Sequence, residues 1–342
     1  MKKMIFTLAL LSVTVWGAQA KIWRVNNNAG VAADFSTVAA AVSAAAAGDT
    51  IYIEGSATNY GGASLSKRLI FIGTGYFLSG ANSNTDLQAN PNPANIGNIG
   101  IDSAASGSVF LGLGNLSINN SNDGGFGADN ITISRCQLQY VSTYWGTRAG
   151  CIANNWNINK CYIQFINNVV QMQNWNVSNN VFTGTLDMSN SSNSANVIRN
   201  NVFRSTITIY NGYLANNIIR STVVLTNVVV KNNLAIGNPS GFDTYAGTNG
   251  NTQGHTDAQM FQGLSSNSTD GQWRLAAGSP AIGAGLTVGA VVSPDAGAFG
   301  GPDPYKLSGI APIPTIYSLT VPASIPAGTN SMSVTLSTRN NN

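Results

Sequence analysis

The 342-residue chain carries little charge. Charged residues make up 8% of the sequence, against about 25% in an average soluble protein. The 16 Lys and Arg and the 13 Asp and Glu leave a formal net charge of +3, which is too small an excess for a nucleic-acid or anionic-membrane partner. Because 43% of the residues are hydrophobic, the composition also excludes a charged disordered chain.

Glutamate, histidine and cysteine are nearly absent. Glu54 is the only glutamate, His255 is the only histidine, and the chain has 3 cysteines. No Cys-x-x-Cys pair and no histidine cluster occurs, so the sequence predicts no zinc site and no other cofactor. An odd number of cysteines allows at most one disulfide and leaves at least one free thiol.

The first twenty residues have the pattern of an export signal. Lys2 and Lys3 precede a short apolar stretch that ends in Ala-Gln-Ala at 18–20, the form of a secretory signal peptide cut after Ala20. A membrane span needs about 20 apolar residues, and this stretch is shorter, as is every later one. The sequence therefore predicts an exported protein, extracellular, cell-surface or periplasmic, without a membrane span.

Asparagine is abundant, with 44 copies, and much of it lies in an internal repeat. The repeated pattern is apolar-x-Asn-Asn-apolar-apolar, with Arg-Cys or Lys-Cys replacing Asn-Asn in the first two copies. The clear copies are 133–138, 158–163, 177–182, 198–203, 214–219 and 230–235, with a weaker copy expected at 116–121.

The spacing of the copies indicates the fold. Successive copies start 25, 19, 21, 16 and 16 residues apart, which is too irregular for helical or leucine-rich repeats. Such variation is expected of a parallel β-helix, whose loops vary in length while its coils stack about 4.8 Å apart. We therefore predict an all-β parallel β-helix, clearest over residues 113–236.

Stacked coils explain the asparagines. The second position of the pattern is predicted to form an inward column at a bend, where stacked side-chain amides can bond to each other and to the backbone. Two thiols begin this column and are predicted to be buried and free, because in-register side chains aim poorly for a disulfide. The predicted ladder contains Cys136, Cys161, Asn180, Asn201, Asn217 and Asn233.

The strand after each bend alternates apolar and polar residues. Leu186, Ile207 and Val223 are predicted to fill the core, whereas Asp187, Thr208 and Val224 align on the outside. Several threonines share this outer face, which makes an ice-binding surface a minor alternative.

The sequence predicts a short amphipathic helix over residues 34–47, capped by Asp34 or Ser36 and ended by Gly48. The strands 50–54 and 69–73 follow it. A helix in this place would cover the open N-terminal end of a β-helix, which otherwise exposes core and strand edge.

These features carry a family resemblance. The stretch 35–73, the Asn-rich coils and the segments 273–285 and 295–301 resemble right-handed parallel β-helix proteins of the pectin-lyase-like superfamily, of the type found in Bacteroidota. The resemblance implies a right-handed β-helix over residues 21–301 with an N-terminal helical cap. It implies little about function, because one fold hosts many functions.

Residues 302–342 differ from the coils. Four prolines between 302 and 314 indicate a linker, and two alternating segments, 315–321 and 331–338, predict a β-hairpin. We expect this extension either to pack over the last coil or to serve as an interaction element.

The resemblance implies enzymes among the alternatives. Members include pectate lyases, which bind Ca²⁺ through clustered carboxylates, and hydrolases that use paired aspartates. Asp187 is the only acid of the repeat, so no metal column is predicted; Asp102, Asp123 and Asp129 are assigned to turns. The weak catalytic candidates are Asp243, His255, Asp257 and Asp270.

Basic and aromatic residues offer two further interpretations. The bend residues Arg135, Lys160, Arg199 and Lys231 are expected to form a solvated face. Because side chains alternate along a strand, Trp156 and Trp175 are predicted to point inward and to stack in the core. A loop insertion carries possible sugar-binding residues; these are Tyr140, Tyr144, Trp145 and Arg148.

The leading hypothesis is an exported, non-catalytic β-helix protein with a structural or adhesive role, binding a cell-surface glycan or another surface protein. The alternative is a polysaccharide lyase or glycoside hydrolase acting on acidic polysaccharide, and only this alternative would use Ca²⁺.

Overall fold

A computed structural model describes residues 20–120, 127–142, 152–167, 171–191, 195–287, 289–325 and 327–341. The predicted signal peptide thus lies almost entirely outside the described residues and remains a prediction. Among the described residues, no helix is both long and apolar enough to span a bilayer.

The chain is a parallel β-helix built from short strands. Within the described ranges, two α-helices, Val38–Ala44 and Asp257–Met260, interrupt them. The strands are β1 Ile22–Val25, β2 Thr50–Ile53, β3 Ala63–Leu65, β4 Ile70–Ile72, β5 Asn98–Ile101, β6 Val109–Leu111, β7 Leu116–Asn120, β8 Thr132–Ser134, β9 Gln137–Ser142, β10 Ile152–Asn154, β11 Asn157–Asn159, β12 Tyr162–Ile166, β13 Gln171–Gln173, β14 Asn176–Ser178, β15 Val181–Phe182, β16 Leu186–Met188, β17 Val197–Arg199, β18 Val202–Phe203, β19 Ile207–Ala215, β20 Ile218–Ile219, β21 Val223–Lys231, β22 Leu234–Ile236, β23 Thr252–His255, β24 Thr315–Thr320 and β25 Thr335–Arg339.

Apart from the antiparallel β24–β25 pair, the strands pair in parallel with counterparts one coil away and form three faces along the solenoid. One face runs from β1 through β2, β4, β6, β8, β11, β14 and β17. A second follows β12, β15, β18, β20 and β22, and a third follows β16, β19 and β21. This confirms the predicted β-helix and the alignment of Asp187, Thr208 and Val224.

Like residues stack on like residues in the core. The parallel rings of Trp156 and Trp175 lie 4.8 Å apart, and those of Phe182 and Phe203 lie at the same distance. All four side chains are buried, which confirms that the two tryptophans belong to the core. Each indole N–H donates to a backbone carbonyl.

The predicted asparagine ladder is present and fully bonded. The Oδ1 of Asn201 accepts from both the backbone N–H and the Nδ2 of Asn180, at 2.9 and 3.0 Å. Asn217 and Asn233 repeat the arrangement. Asn251, which the sequence pattern misses, extends it by one coil. Cys136 and Cys161 begin the column as buried free thiols, as predicted.

Three details differ from the sequence predictions. The helix spans only Val38–Ala44 and is capped by Thr37, because Phe35 is bridged to Val25 and Asp34 instead accepts the Arg24 N–H. The weaker repeat copy at 116–121 is wrong: Leu116 pairs with Leu138, and the counterpart of Ile133 is Phe110. The helix lies against β1 and β3, and its role as a cap remains a prediction.

The third difference concerns the basic bend residues. Arg135 and Lys160 are 5% and 7% exposed, so they do not form a solvated face. They belong to a column with left-handed backbone, φ between 50° and 57°, that occupies the first Asn position of the pattern. Its members are Arg135, Lys160, Asn179, Asn200, Asn216 and Asn232.

This left-handed column holds a long stretch of the C-terminal part of the chain. Residues 284–310, here called the return segment, run back along the column, in the order opposite to the coils. Asn232 donates to Ala284, Asn200 to Asp295, and Asn179 to Ala298 and Gly300. Lys160 pairs with Asp303, and Arg135 donates to the Ile310 carbonyl.

The return segment approaches the coils closely. At Gly309, with φ +54°, a Cβ would come within 2.2 Å of the Arg135 carbonyl oxygen. The β24–β25 hairpin that follows is antiparallel, as predicted. It does not pack over the last coil, because the return segment carries the chain back, and Ala89 donates to the Ile316 carbonyl.

The ladder predicts a large stability loss for Asn217→Ala. The substitution removes five hydrogen bonds and leaves the buried backbone N–H of Asn201 without its acceptor. Because an unsatisfied buried group costs about 1–3 kcal/mol, we expect a loss of about 3 kcal/mol in unfolding free energy, measured by denaturant titration. Asn238→Ala, at an exposed site, is the control, and an equal effect of both variants would contradict the ladder's role.

The left-handed column predicts that Asn179→Gly loosens the return segment. Glycine tolerates the positive φ but removes both bonds to the segment. We expect faster amide exchange over residues 296–305, measured by mass spectrometry. Asn174→Gly has a matching φ of 56° at an exposed corner. Equal exchange in the two variants would show that the column does not hold the segment.

Candidate functional site

The clearest candidate site is a groove where the coils meet the 257–273 segment. Its volume is about 380 Å³, within the range of ligand pockets. We call it the Trp273 groove, and its lining residues that carry polar or aromatic side chains are Arg204, Arg220, Asp257, Phe261, Gln262, Gln272 and Trp273.

Two arginines on neighbouring coils form one wall. Val202 and Phe203 pair in register with Ile218 and Ile219, so Arg204 and Arg220 follow at equivalent positions. Stacked like charges normally repel, and here each arginine has its own compensation. Arg220 pairs with Asp257 at 2.8 Å, with both side chains almost half exposed. The Arg204 guanidinium lies 4.7 Å from the centre of the Trp273 ring.

The other wall is a short, well-braced segment. Thr256 and Gln259 form a capping box around the helix Asp257–Met260. The backbone N–H groups of Gln262 and Gly263 donate to the carbonyls of Arg274 and Gln272, which pairs the two halves of the segment. The rings of Phe261 and Trp273 are nearly perpendicular, at 84°, with their centroids 5.2 Å apart. The aromatic floor is therefore fixed before any ligand binds.

The groove is chemically suited to hydroxyl groups. A guanidinium stacked by its face keeps its in-plane N–H donors for other partners. The side-chain Nε2 of Gln272 donates to the Thr269 carbonyl, so the side-chain amide oxygen of Gln272 is not used in that bond. The groove thus offers donors, an acceptor amide and a carboxylate beside an apolar floor.

The four weak catalytic candidates have separate surroundings. Asp243 accepts from Gln253 at 3.3 Å, and His255 bonds to Thr252 at 2.8 Å. Asp257 lies in the Trp273 groove, paired with Arg220. Within the described ranges, no hydrogen bond or ion pair joins two of the four candidates. Desolvation by burial lowers the pKa of His255, which favours its neutral form.

Asp270 has a structural role. It is fully buried and accepts from Asn84, Ser268, Tyr305 and the Ser308 N–H. Tyr305 also bonds to Tyr76 at 2.6 Å. Burial, and next the neighbouring Asp270, raise the pKa of Tyr76 well above its ordinary value. These bonds tie the return segment to the 76–84 loop.

The predicted sugar-binding loop is described only in part. Tyr140 is half-buried, and its hydroxyl donates to Asn98 at 3.3 Å. Tyr144, Trp145 and Arg148 lie outside the described residues, as do Asp123 and Cys151. Asp102 and Asp129 bond to backbone N–H groups, as expected of turn residues. In the part of the chain that the structure describes, no three His, Cys, Asp or Glu side chains could hold a metal.

Sequence reasoning missed Arg204 and Arg220, although a signal was present. Asn-Asn-Val-Phe-Arg-Ser-Thr at 200–206 and Asn-Asn-Ile-Ile-Arg-Ser-Thr at 216–222 place like charges at one coil position. Such a violation of a local rule is expected mainly at functional or strained sites. Trp273 lies in a non-repeating segment and had no comparable signal.

Comparison with family models, with curated proteins and with solved structures finds no match to this chain.

The buried thiols predict chemical inertness. Burial is the main cause that raises the pKa of Cys161 well above its ordinary value, and Cys136 is equally inaccessible. In a Cys151→Ser background we expect no labelling of the native protein by iodoacetamide and labelling of both thiols in denaturant, counted by mass spectrometry. Rapid labelling of the native protein would contradict this burial.

Proposed function

We propose that the protein is an exported, non-catalytic β-helix protein that binds a glycan in the Trp273 groove. The observation that carries the proposal is the pair of arginines at equivalent positions on adjacent coils, one lying over Trp273 and the other paired with Asp257. Planar donors, amides and a carboxylate suit the hydroxyls of sugar rings, and the buried rings of Phe261 and Trp273 hold this wall in place. The signal-peptide pattern at residues 1–20 supports export to the cell surface or the extracellular space.

We also propose that the chain belongs to the pectin-lyase-like superfamily, of the Bacteroidota type. The parallel coils, the asparagine ladder and the helix before β2 support this assignment. The same scaffold in that superfamily supports catalysis where carboxylates meet on adjacent coils. Here Asp257 is the one carboxylate that lines the groove, and it is held by Arg220. This supports binding without turnover.

The test is glycan binding by matched arginine variants. We expect Arg204→Gln and Arg220→Gln each to weaken binding roughly tenfold, because a hydrogen bond to a charged group contributes about 1.5–3 kcal/mol. Binding is measured on a glycan array and then by calorimetry with the best ligand. Lys231→Gln, which removes an exposed charge elsewhere, is the control.

Two results would overturn the proposal. One is glycan binding that both arginine variants retain in full. The other is depolymerisation of a uronate polymer by the wild-type protein, abolished by Asp257→Ala, which would establish the lyase or hydrolase alternative. Thermal denaturation of each variant checks that a loss of binding does not come from unfolding.

A further inference from the structure

A second pocket lies between the coils, the return segment and the C-terminal hairpin. Its volume is about 350 Å³. Among the described residues, four cationic side chains and no carboxylate line it. We call it the cationic pocket, after Arg135, Arg274, Lys306 and Arg339. The whole chain has only 16 Lys and Arg, so a quarter of its positive charges converge on one pocket.

None of these four charges has an ion-pair partner among the described residues. The described ion pairs are Arg24–Glu54, Lys160–Asp303 and Arg220–Asp257. The negative charge of Asp303 attracts Arg135 over a longer distance, but Asp303 forms its ion pair with Lys160. Burial lowers the pKa of Arg135, with Asp303 acting in the opposite direction. The pocket is thus an uncompensated cluster of positive charge.

A second observation comes from Arg339. Its Nη2 donates to the Leu87 carbonyl, and its guanidinium lies over the Tyr317 ring at 5.3 Å. Its Nε is buried and has no hydrogen-bond partner. A buried donor without an acceptor is costly, so the described part of the chain does not by itself satisfy this guanidinium.

We propose that the cationic pocket binds a phosphate or sulfate group. Guanidinium groups match such oxyanions with paired N–H donors, and a doubly charged group balances several cations better than a single carboxylate. Asn340 and Asn341 add polar groups, whereas Phe299 and Leu307 add apolar surface on which the organic part of an ester can lie. The group can come from a free ion or from an ester on a larger molecule.

Such an anion would also fasten the hairpin. Arg135 belongs to a coil, Lys306 to the return segment and Arg339 to the hairpin strand β25. One ligand bridging these residues would join three parts of the chain that lie far apart in sequence. The pocket is separate from the Trp273 groove, since the two share no lining residue.

The experiment titrates the purified chain by calorimetry with inorganic phosphate, sulfate, phenyl phosphate and acetate. We expect phosphate, sulfate or the ester to bind and acetate not to bind. Arg274→Gln and Lys306→Gln remove charges whose side chains make no described hydrogen bond, so the fold is expected to survive. Each should weaken binding at least roughly tenfold, while Lys231→Gln and Arg204→Gln should leave it unchanged.

Limited proteolysis of the hairpin provides an independent readout. We expect phosphate to slow cleavage between residues 315 and 339 in wild type and not in the Arg274→Gln, Lys306→Gln double variant. Much tighter binding of the ester than of free phosphate would identify an ester as the source, and equal binding would identify the free ion. Absence of binding by all three oxyanions, or binding and protection that the double variant retains, would overturn the proposal.

Discussion

The structure depends on one interaction, the side-chain amide that bonds to the equivalent amide one coil away. Parallel coils bring equivalent positions to the spacing of neighbouring strands, and a bend in each coil leaves buried backbone groups without ladder partners. The Oδ1 of each asparagine accepts from the preceding coil and its Nδ2 donates to the next asparagine, so Asn180, Asn201 and Asn217 satisfy the bend and each other. The stacked tryptophans and the low charge content follow from the same requirement, because each side chain must pack against a similar side chain in the next coil.

This constraint made much of the fold predictable. The inward column from Cys136 to Asn233 could be read from the sequence, because its period is visible and its chemistry is the same in every coil. The extra member Asn251 could not, since the loop before it breaks the pattern. The role of the first asparagine of each pair was harder still to predict, because Asn179 and Asn180 are the same residue type. Only the left-handed backbone at Asn179 turns one side chain outward and the other inward.

The two candidate sites arise where this self-similar scaffold meets chain that does not repeat. Arg204 and Arg220 could be found as a repeated charge, but their aromatic partner, Trp273, lies in a segment with no period. The cationic pocket is more remote from any local pattern, because Arg135 and Arg339 are brought together only by long-range contacts with residues 310 and 341. Contacts between residues more than a hundred positions apart leave no trace in the composition or spacing of either segment.

The return segment also changes the order in which the molecule can be completed. In a simple solenoid each coil contacts only its neighbours, so coils can form one after another as the chain emerges. Here the earliest members of the left-handed column, Arg135 and Lys160, obtain their partners from residues 303 and 310. Those partners are made late, and forming contacts between residues so far apart in sequence is slow. The coils around Arg135 therefore cannot complete their hydrogen bonds until nearly the whole chain has been synthesised. Until then, the Arg135 side chain has no hydrogen-bond partner from the return segment.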